Sequence, residues 1–316
     1  MKRPLKRDAR FDLVALGEPL LEFNQTRAEA QQYLQGFGGD TSNCIIAASR
    51  LGASTAYVTR LGDDAFGRQF LALWKREGVD AGGVRTDPDA PTGIYFVTHG
   101  DRGHEFSYLR AGSAASRMRP SDLPLDVIRA AGILHVSGIS QAISVSACDS
   151  VFAALDAARD AGTLVSYDSN LRLKLWPLAR ARATIVATLP LCDWFLPSRD
   201  EAALLSGASE ANAIIDWCHA GGAPLVALKM GPEGVWVSSA EAREHIRGHA
   251  VDAIDATGAG DCFDGAFAAR MVAGDDAFAA ARYANAAAAL ATTGYGAVDP
   301  LPTHAEVAAF LKQLTR

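Results

Sequence analysis

Short apolar runs recur along the chain, and amphipathic stretches of helical period fill most of the gaps between them. "DLVALG", "AYVTRLG", "GILHVSG", "TLVSYD", "DWFLPS" and "LVALKMG" read as strands, while "TSNCIIAASRLG" and "VFAALDAARDAG" read as helices. Parallel neighbours need a long crossover, usually a helix, so this alternation predicts an α/β fold: a mainly parallel sheet covered by helices on both faces. The Ala-rich segments 276–293 and 303–314 have long apolar faces and are read as packing helices.

One interval breaks the pattern. "IYFVTHGDRGHEFSYLR", residues 94–110, reads as two strands with a turn between Gly100 and Gly103. With Asp101 and Arg102 as the loop residues, Tyr95 faces Tyr108 across the hairpin, and Arg110 follows two residues on, on the same face. Segments 18–38 and 92–112 are therefore expected to form a small antiparallel β lid inserted in a single domain spanning 1–316.

Composition narrows the function. The 316 residues are 49% hydrophobic, enough for a large core, and the formal net charge of −6 supplies no overall basic field for nucleic acid or an anionic membrane. No apolar run is long enough to cross a bilayer. The basic start, "MKRPLKRDAR", precedes no apolar signal core and reads as a solvated tail. Cys44, Cys148, Cys192, Cys218 and Cys262 lack CxxC spacing, which fits a cytoplasmic protein better than a zinc site or a disulfide framework. The histidines show no metal-ligand spacing, and His135 in "ILHVSG" is expected to be a hydrogen-bonded core residue. The chain contains no GxxxxGK[ST], HExxH or GxSxG, and no GxGxxG after a strand.

The candidate chemistry lies in "AIDATGAGDCFDGAF", residues 253–267. Gly258, Ala259 and Gly260 carry little or no side chain, so an anion can approach their N–H groups at the positive end of the following helix. Asp261 at the helix start can cap it or act as a base toward whatever occupies the anion site. Phe263, Ala266, Phe267 and Met271 give the helix a buried face.

With these motifs in order, the chain resembles the ribokinase-like (PfkB-type) carbohydrate kinases. "DATGAGD" departs from that family's "DTxGAGD" only in the order of Ala256 and Thr257, and "GFGGDTSNCIIAASRLGASTAYVTRLGDDAFGRQF", residues 36–70, resembles its N-terminal signature. The resemblance implies a three-layer α/β/α core, ATP and Mg2+ as cofactors, room for a monovalent cation such as K+, and a homo-oligomer. It implies Asp261 as the catalytic base and Gly258, Ala259 and Gly260 as the phosphoryl cradle. On the nucleotide side it implies Ser198, Lys229, Gly231, Gly234 and Asn285. Glu201, in "SRDE", would arrange the metal indirectly, although Ser198 stands where the family usually has Asn.

The sugar-side residues most resemble those of 2-keto-3-deoxygluconate kinases. Gly38, Gly39, Asp40 and Asn43 would meet hydroxyls, Tyr95, Tyr108 and Ile139 would wall the pocket, and the tyrosines would donate hydroxyls. A guanidinium holds a carboxylate through two charge-assisted bonds, so Arg110 and Arg172 are the candidates for a sugar acid's carboxylate. Asp168 and Asn170 would orient Arg172, touch magnesium-bound water or only satisfy the turn. The expected reaction is transfer of the γ-phosphoryl of ATP to the 6-hydroxyl of 2-keto-3-deoxygluconate. A neutral-sugar kinase (fructose or ribose) and a non-catalytic sugar or nucleotide sensor on the same fold are the alternatives.

Overall fold

A computed structural model describes residues 4–6, 8–25, 31–100 and 103–314. In chain order the strands are β1 (Phe11–Leu16), β2 (Leu20–Gln25), β3 (Tyr33–Gly38), β4 (Thr55–Gly62), β5 (Val79–Asp87), β6 (Ile94–Gly100), β7 (Gly103–Leu109), β8 (Ala131–Ser137), β9 (Leu164–Asp168), β10 (Trp194–Phe195), β11 (Leu225–Lys229), β12 (Gly234–Ser238) and β13 (Arg243–Arg247). Nine of them form one sheet in the order β13-β12-β11-β10-β9-β8-β1-β4-β5. Pairing is parallel from β5 through to β11, and β12 and β13 append an antiparallel meander.

The core has two faces, and successive residues of one strand serve opposite ones. Leu13 and Ala15 of β1 join one buried cluster, whereas Val14 and Leu16 join the other. That is the period of two expected of a strand covered on both sides, and it explains why these strands read as continuous apolar runs. The Ala-rich segments are helices at Ala277–Ala291 and His304–Leu314. Among the described residues, no helix is long and apolar enough to cross a membrane.

A second sheet has the order β3-β2-β6-β7. It consists of two antiparallel hairpins joined by a parallel seam between β2 and β6. The seam runs parallel because β2 and β6 leave the ends of β1 and β5, which point the same way in the core sheet. Tyr95 stands opposite Tyr108, as the hairpin reading requires; Asp101 and Arg102 lie outside the described residues. The N-terminal segment departs from a solvated tail, since Lys6 Nζ donates to Arg129 O (2.6 Å) and Thr163 Oγ1 (3.2 Å).

Two helices meet beneath the site. A Cβ at Gly265 would lie 2.3 Å from Cys44 O and 2.9 Å from Ala47 Cβ, so only glycine allows helix Ala259–Val272 to pack this closely on helix Asp40–Arg50. The close approach brings Asn43 on one helix to Asp261 on the other.

Candidate active site

A cavity of about 780 Å³ opens where the carboxyl ends of the parallel strands face the four-stranded sheet. Gly39, Asp40, Asn43, Tyr95, Tyr108 and Arg110 line it on the small-sheet side. Ile139, Arg172, Ser198, Glu201, Lys229 and Gly231 line it along the core sheet, and residues 258–261 line its floor. The cavity thus collects most of the residues singled out by sequence.

The turn before helix Ala259–Val272 is held by Asp255. Its carboxylate accepts from Thr257 N (2.9 Å), Thr257 Oγ1 (2.7 Å) and Gly296 N (3.0 Å). Gly258 has φ 77°, a left-handed conformation that glycine adopts without strain. Asp261 Oδ2 accepts from Asn43 Nδ2 (2.8 Å). Burial, followed by the charge of nearby Asp40, pushes the Asp261 carboxyl up to about 8, against the opposing Asn43 bond.

Asp40 also has a raised pKa because it is buried, and its Oδ2 accepts from Asn170 Nδ2 (3.1 Å). Asp40 Oδ1 and Asn43 Oδ1 are buried and lack a partner among the described residues. Two orphaned acceptors on the wall of a cavity are costly unless a ligand hydroxyl meets them.

Both candidate guanidiniums are already paired. Arg110 Nε donates to Glu18 Oε2 (2.7 Å), and Ser113 Oγ donates to the same carboxylate; Arg110 is 8% exposed and the Glu18 side chain 0%. Arg172 Nη1 donates to Glu201 Oε1 (3.0 Å) and Leu171 O (2.9 Å), and Ser169 holds the other oxygen of Glu201 (2.7 Å). A guanidinium carries five N–H donors, so each arginine retains donors beyond these bonds. Tyr95 differs from its expected donor role. Its hydroxyl donates to Glu22, which leaves the phenol oxygen able to offer only an acceptor to a ligand. Its ring stacks with Tyr108 at 5.8 Å.

Several residues expected on the nucleotide side have partners within the protein. Lys229 Nζ is bonded to Asp168 Oδ2 (3.0 Å) and to both oxygens of Asp264 (3.0 and 3.1 Å). Burial would lower the pKa of Lys229, but the two carboxylates hold it above its ordinary value. Asn285 Nδ2 donates to Ile246 O (3.2 Å) and Arg247 O (3.3 Å), so this amide ties its helix to β13. Gly234 has no place on the cavity wall; a Cβ there would lie 2.1 Å from Ile246 O. Gly38 sits behind Tyr95, whose hydroxyl would be 2.6 Å from a Cβ. His135 bonds Ser166 Oγ (3.0 Å), and burial lowers it to about 4, as suits a core histidine.

Sequence reasoning missed Glu18, Glu22, Asp255 and Asp264. Asp264 had a signal, because it lies three residues beyond Asp261 and so on the same helix face.

A bare turn at a helix start with a buried acid in its first turn suits transfer of a phosphoryl group onto an alcohol. The chain belongs to the pfkB family of carbohydrate kinases, whose family model matches residues 9–304. An Arabidopsis thaliana protein named "Probable fructokinase-4" is 37% identical over 320 residues, with 95% of this chain and 96% of that protein covered. The 2-dehydro-3-deoxygluconokinase of Bacillus subtilis (strain 168) is 33% identical, with 96% of each covered. A crystal structure of fructokinase from Vibrio cholerae O395, in fructose, ADP and calcium ion bound form, has a TM-score of 0.86 and 30% identity, with 95% of this chain and 99% of that one covered. The fold and the phosphotransferase class are shared across relatives named for different sugars.

Proposed function

We propose that the protein is an ATP- and Mg2+-dependent kinase that phosphorylates the 6-hydroxyl of 2-keto-3-deoxygluconate. The observation that carries this reading is one cavity holding Asp261 and the bare turn on its floor and the Arg110 and Arg172 guanidiniums on its walls. Asp261 would take the proton from the sugar hydroxyl, and Asn43 holds its carboxylate in place. The orphaned oxygens of Asp40 and Asn43 would accept from sugar hydroxyls. The turn 258–260 fits a phosphate, since its residues leave the backbone bare, and ATP when bound would supply the phosphoryl group. Mg2+ keeps several of its waters and leans on phosphates when it is bound. Glu201 would face it through water.

The rival reading, a neutral-sugar kinase, is favoured by the pairing of Arg110 with Glu18 and of Arg172 with Glu201. An ADP-release assay across 2-keto-3-deoxygluconate, gluconate, 2-ketogluconate, fructose and ribose separates the two. A kcat/KM at least roughly 10²-fold higher for the keto-deoxy acid is expected, because a neutral sugar leaves the guanidinium donors unmatched. A preference for fructose or ribose removes the sugar-acid assignment but keeps the kinase.

The four-stranded sheet is proposed to serve as a lid that closes over the sugar and excludes water. Its outer strands β3 and β7 present Tyr33, Leu34 and Leu109 at 40%, 64% and 64% exposure, and pairing of two copies across this sheet would cover them. Sedimentation velocity is expected to give a dimer that Leu34→Glu weakens; a monomeric wild type sinks the idea. The five free cysteines agree with a reducing, cytoplasmic setting.

A further inference from the structure

Lys229 lines the cavity, yet its ammonium is engaged inside the protein. Its Nζ donates to Asp168 and to Asp264, whose two oxygens lie close enough together to share one N–H. The three side chains are 12%, 6% and 1% exposed. They come from three elements that meet under the floor of the site: the end of β9, the end of β11 and the second turn of helix Ala259–Val272. The same Nζ would lie 3.6 Å from a Cβ at Gly260, so the charge sits directly against the bare turn.

We propose that Lys229, held between Asp168 and Asp264, is a positioning residue for phosphoryl transfer that acts through the turn 258–260 and through Asp261 rather than by bonding the nucleotide. The argument is one of charge. Held between two carboxylates, Lys229 offsets their charge with a fixed positive field beneath the floor, and a fixed field of this kind needs no reorganisation during the reaction. Asp264 and Asp168 set where that field is centred, because an ammonium on a four-carbon stem has no geometry of its own.

The base feels the same charge. Asp261 interacts with Asp40, Asn43 and Cys44 of helix Asp40–Arg50, Tyr95 of β6, Asp168 of β9, Arg172 just beyond it, Lys229 of β11, and Cys262 of its own helix. The cations in this set are Lys229 and Arg172. Without the Lys229 charge, Asp40 and Asp168 meet less opposition, so Asp261 binds its proton more tightly.

This inference rests on Asp261 being the base. The test compares wild type, Lys229→Met, Lys229→Gln and Lys229→Arg in pH profiles of kcat/KM, together with the Kd for ATP. Lys229→Gln keeps amide donors for the carboxylates and guards against a methionine variant that fails to fold. In both neutral variants the acidic limb is expected to move about one unit to higher pH, the lower end of the effect of a buried opposite charge. Their kcat at pH 7 falls roughly tenfold or more, the Kd for ATP stays within about threefold, and Lys229→Arg restores the limb. An unmoved limb with a Kd raised tenfold or more would mean direct nucleotide contact and overturns the proposal. A lowered melting temperature with limb and Kd unmoved would mean a purely structural ion cluster and overturns it as well. If Asp261→Asn keeps near-normal turnover, it is the assignment of the base that fails. If that variant is inactive while the limb of Lys229→Gln stays put, only the positioning role fails.

Discussion

Replacing Asp261 by Asn is expected to lower kcat by at least about 10²-fold, the usual contribution of a general base, while making the protein more resistant to heat. Asparagine has the same shape and can still meet Asn43, so binding of ATP at the neighbouring turn should change little. The gain in stability follows from the direction of the pKa shift. Burial raises the folded Asp261 to about 8, above an ordinary carboxylate, so the folded state binds the proton more tightly than the unfolded chain does. The contribution to stability is therefore most favourable below the unfolded value. It declines as pH climbs from about 4 toward about 8 and is lost above that window. Asparagine has no proton to lose, so the difference in Tm between variant and wild type should be near zero at pH 4 and widen to a few degrees at pH 8. The same shift gives wild-type kcat/KM an acidic limb near pH 8, falling about tenfold per unit below it. Near-normal turnover in the variant would take Asp261 out of the base role. A Tm difference that is the same at both pH values would show that its carboxyl is not stabilised in protonated form by the fold.

How much of this was legible in the sequence depended on whether the feature was local. The apolar strands of the core, the hairpin register that faces Tyr95 with Tyr108, and the bare turn at 258–260 are written in runs, in a period of two and in residue size. All three survive in the structure. The β12–β13 meander was not read, because "GVWVS", though buried, is only five residues long and "REHIR" is mostly exposed and polar. The parallel seam between β2 and β6 was missed because it follows from the direction of β1 and β5, which no residue in the lid records. Charge pairing was the least legible. Arg110 finds Glu18 across 92 positions and Lys229 finds Asp168 across 61, and only the sheet order brings them together. A cation next to a candidate phosphate turn was therefore read as a ligand contact, with no sign in the sequence of the partners the chain supplies.

The pairing of Arg110 with Glu18 leads to a test of the substrate's charge. Arg110→Ala alone would leave Glu18 buried without its partner, a change that costs a fold about 3–5 kcal/mol and confuses any reading of KM. The informative variants are Glu18→Gln, which keeps an amide oxygen to accept from the buried Arg110, and the double variant Glu18→Gln with Arg110→Met, which removes both charges. If the substrate brings a carboxylate, Glu18 competes with it for the same guanidinium. Glu18→Gln should then raise the ratio of kcat/KM for 2-keto-3-deoxygluconate to that for fructose by roughly tenfold, since one unmet charged bond is worth about 1.5 kcal/mol or more. The double variant should lose that preference, with KM for the acid raised tenfold or more and KM for ATP within about threefold. Should both variants change the acid and fructose alike, the Arg110–Glu18 pair braces the lid strands and the pocket reads hydroxyls, as in a neutral-sugar kinase.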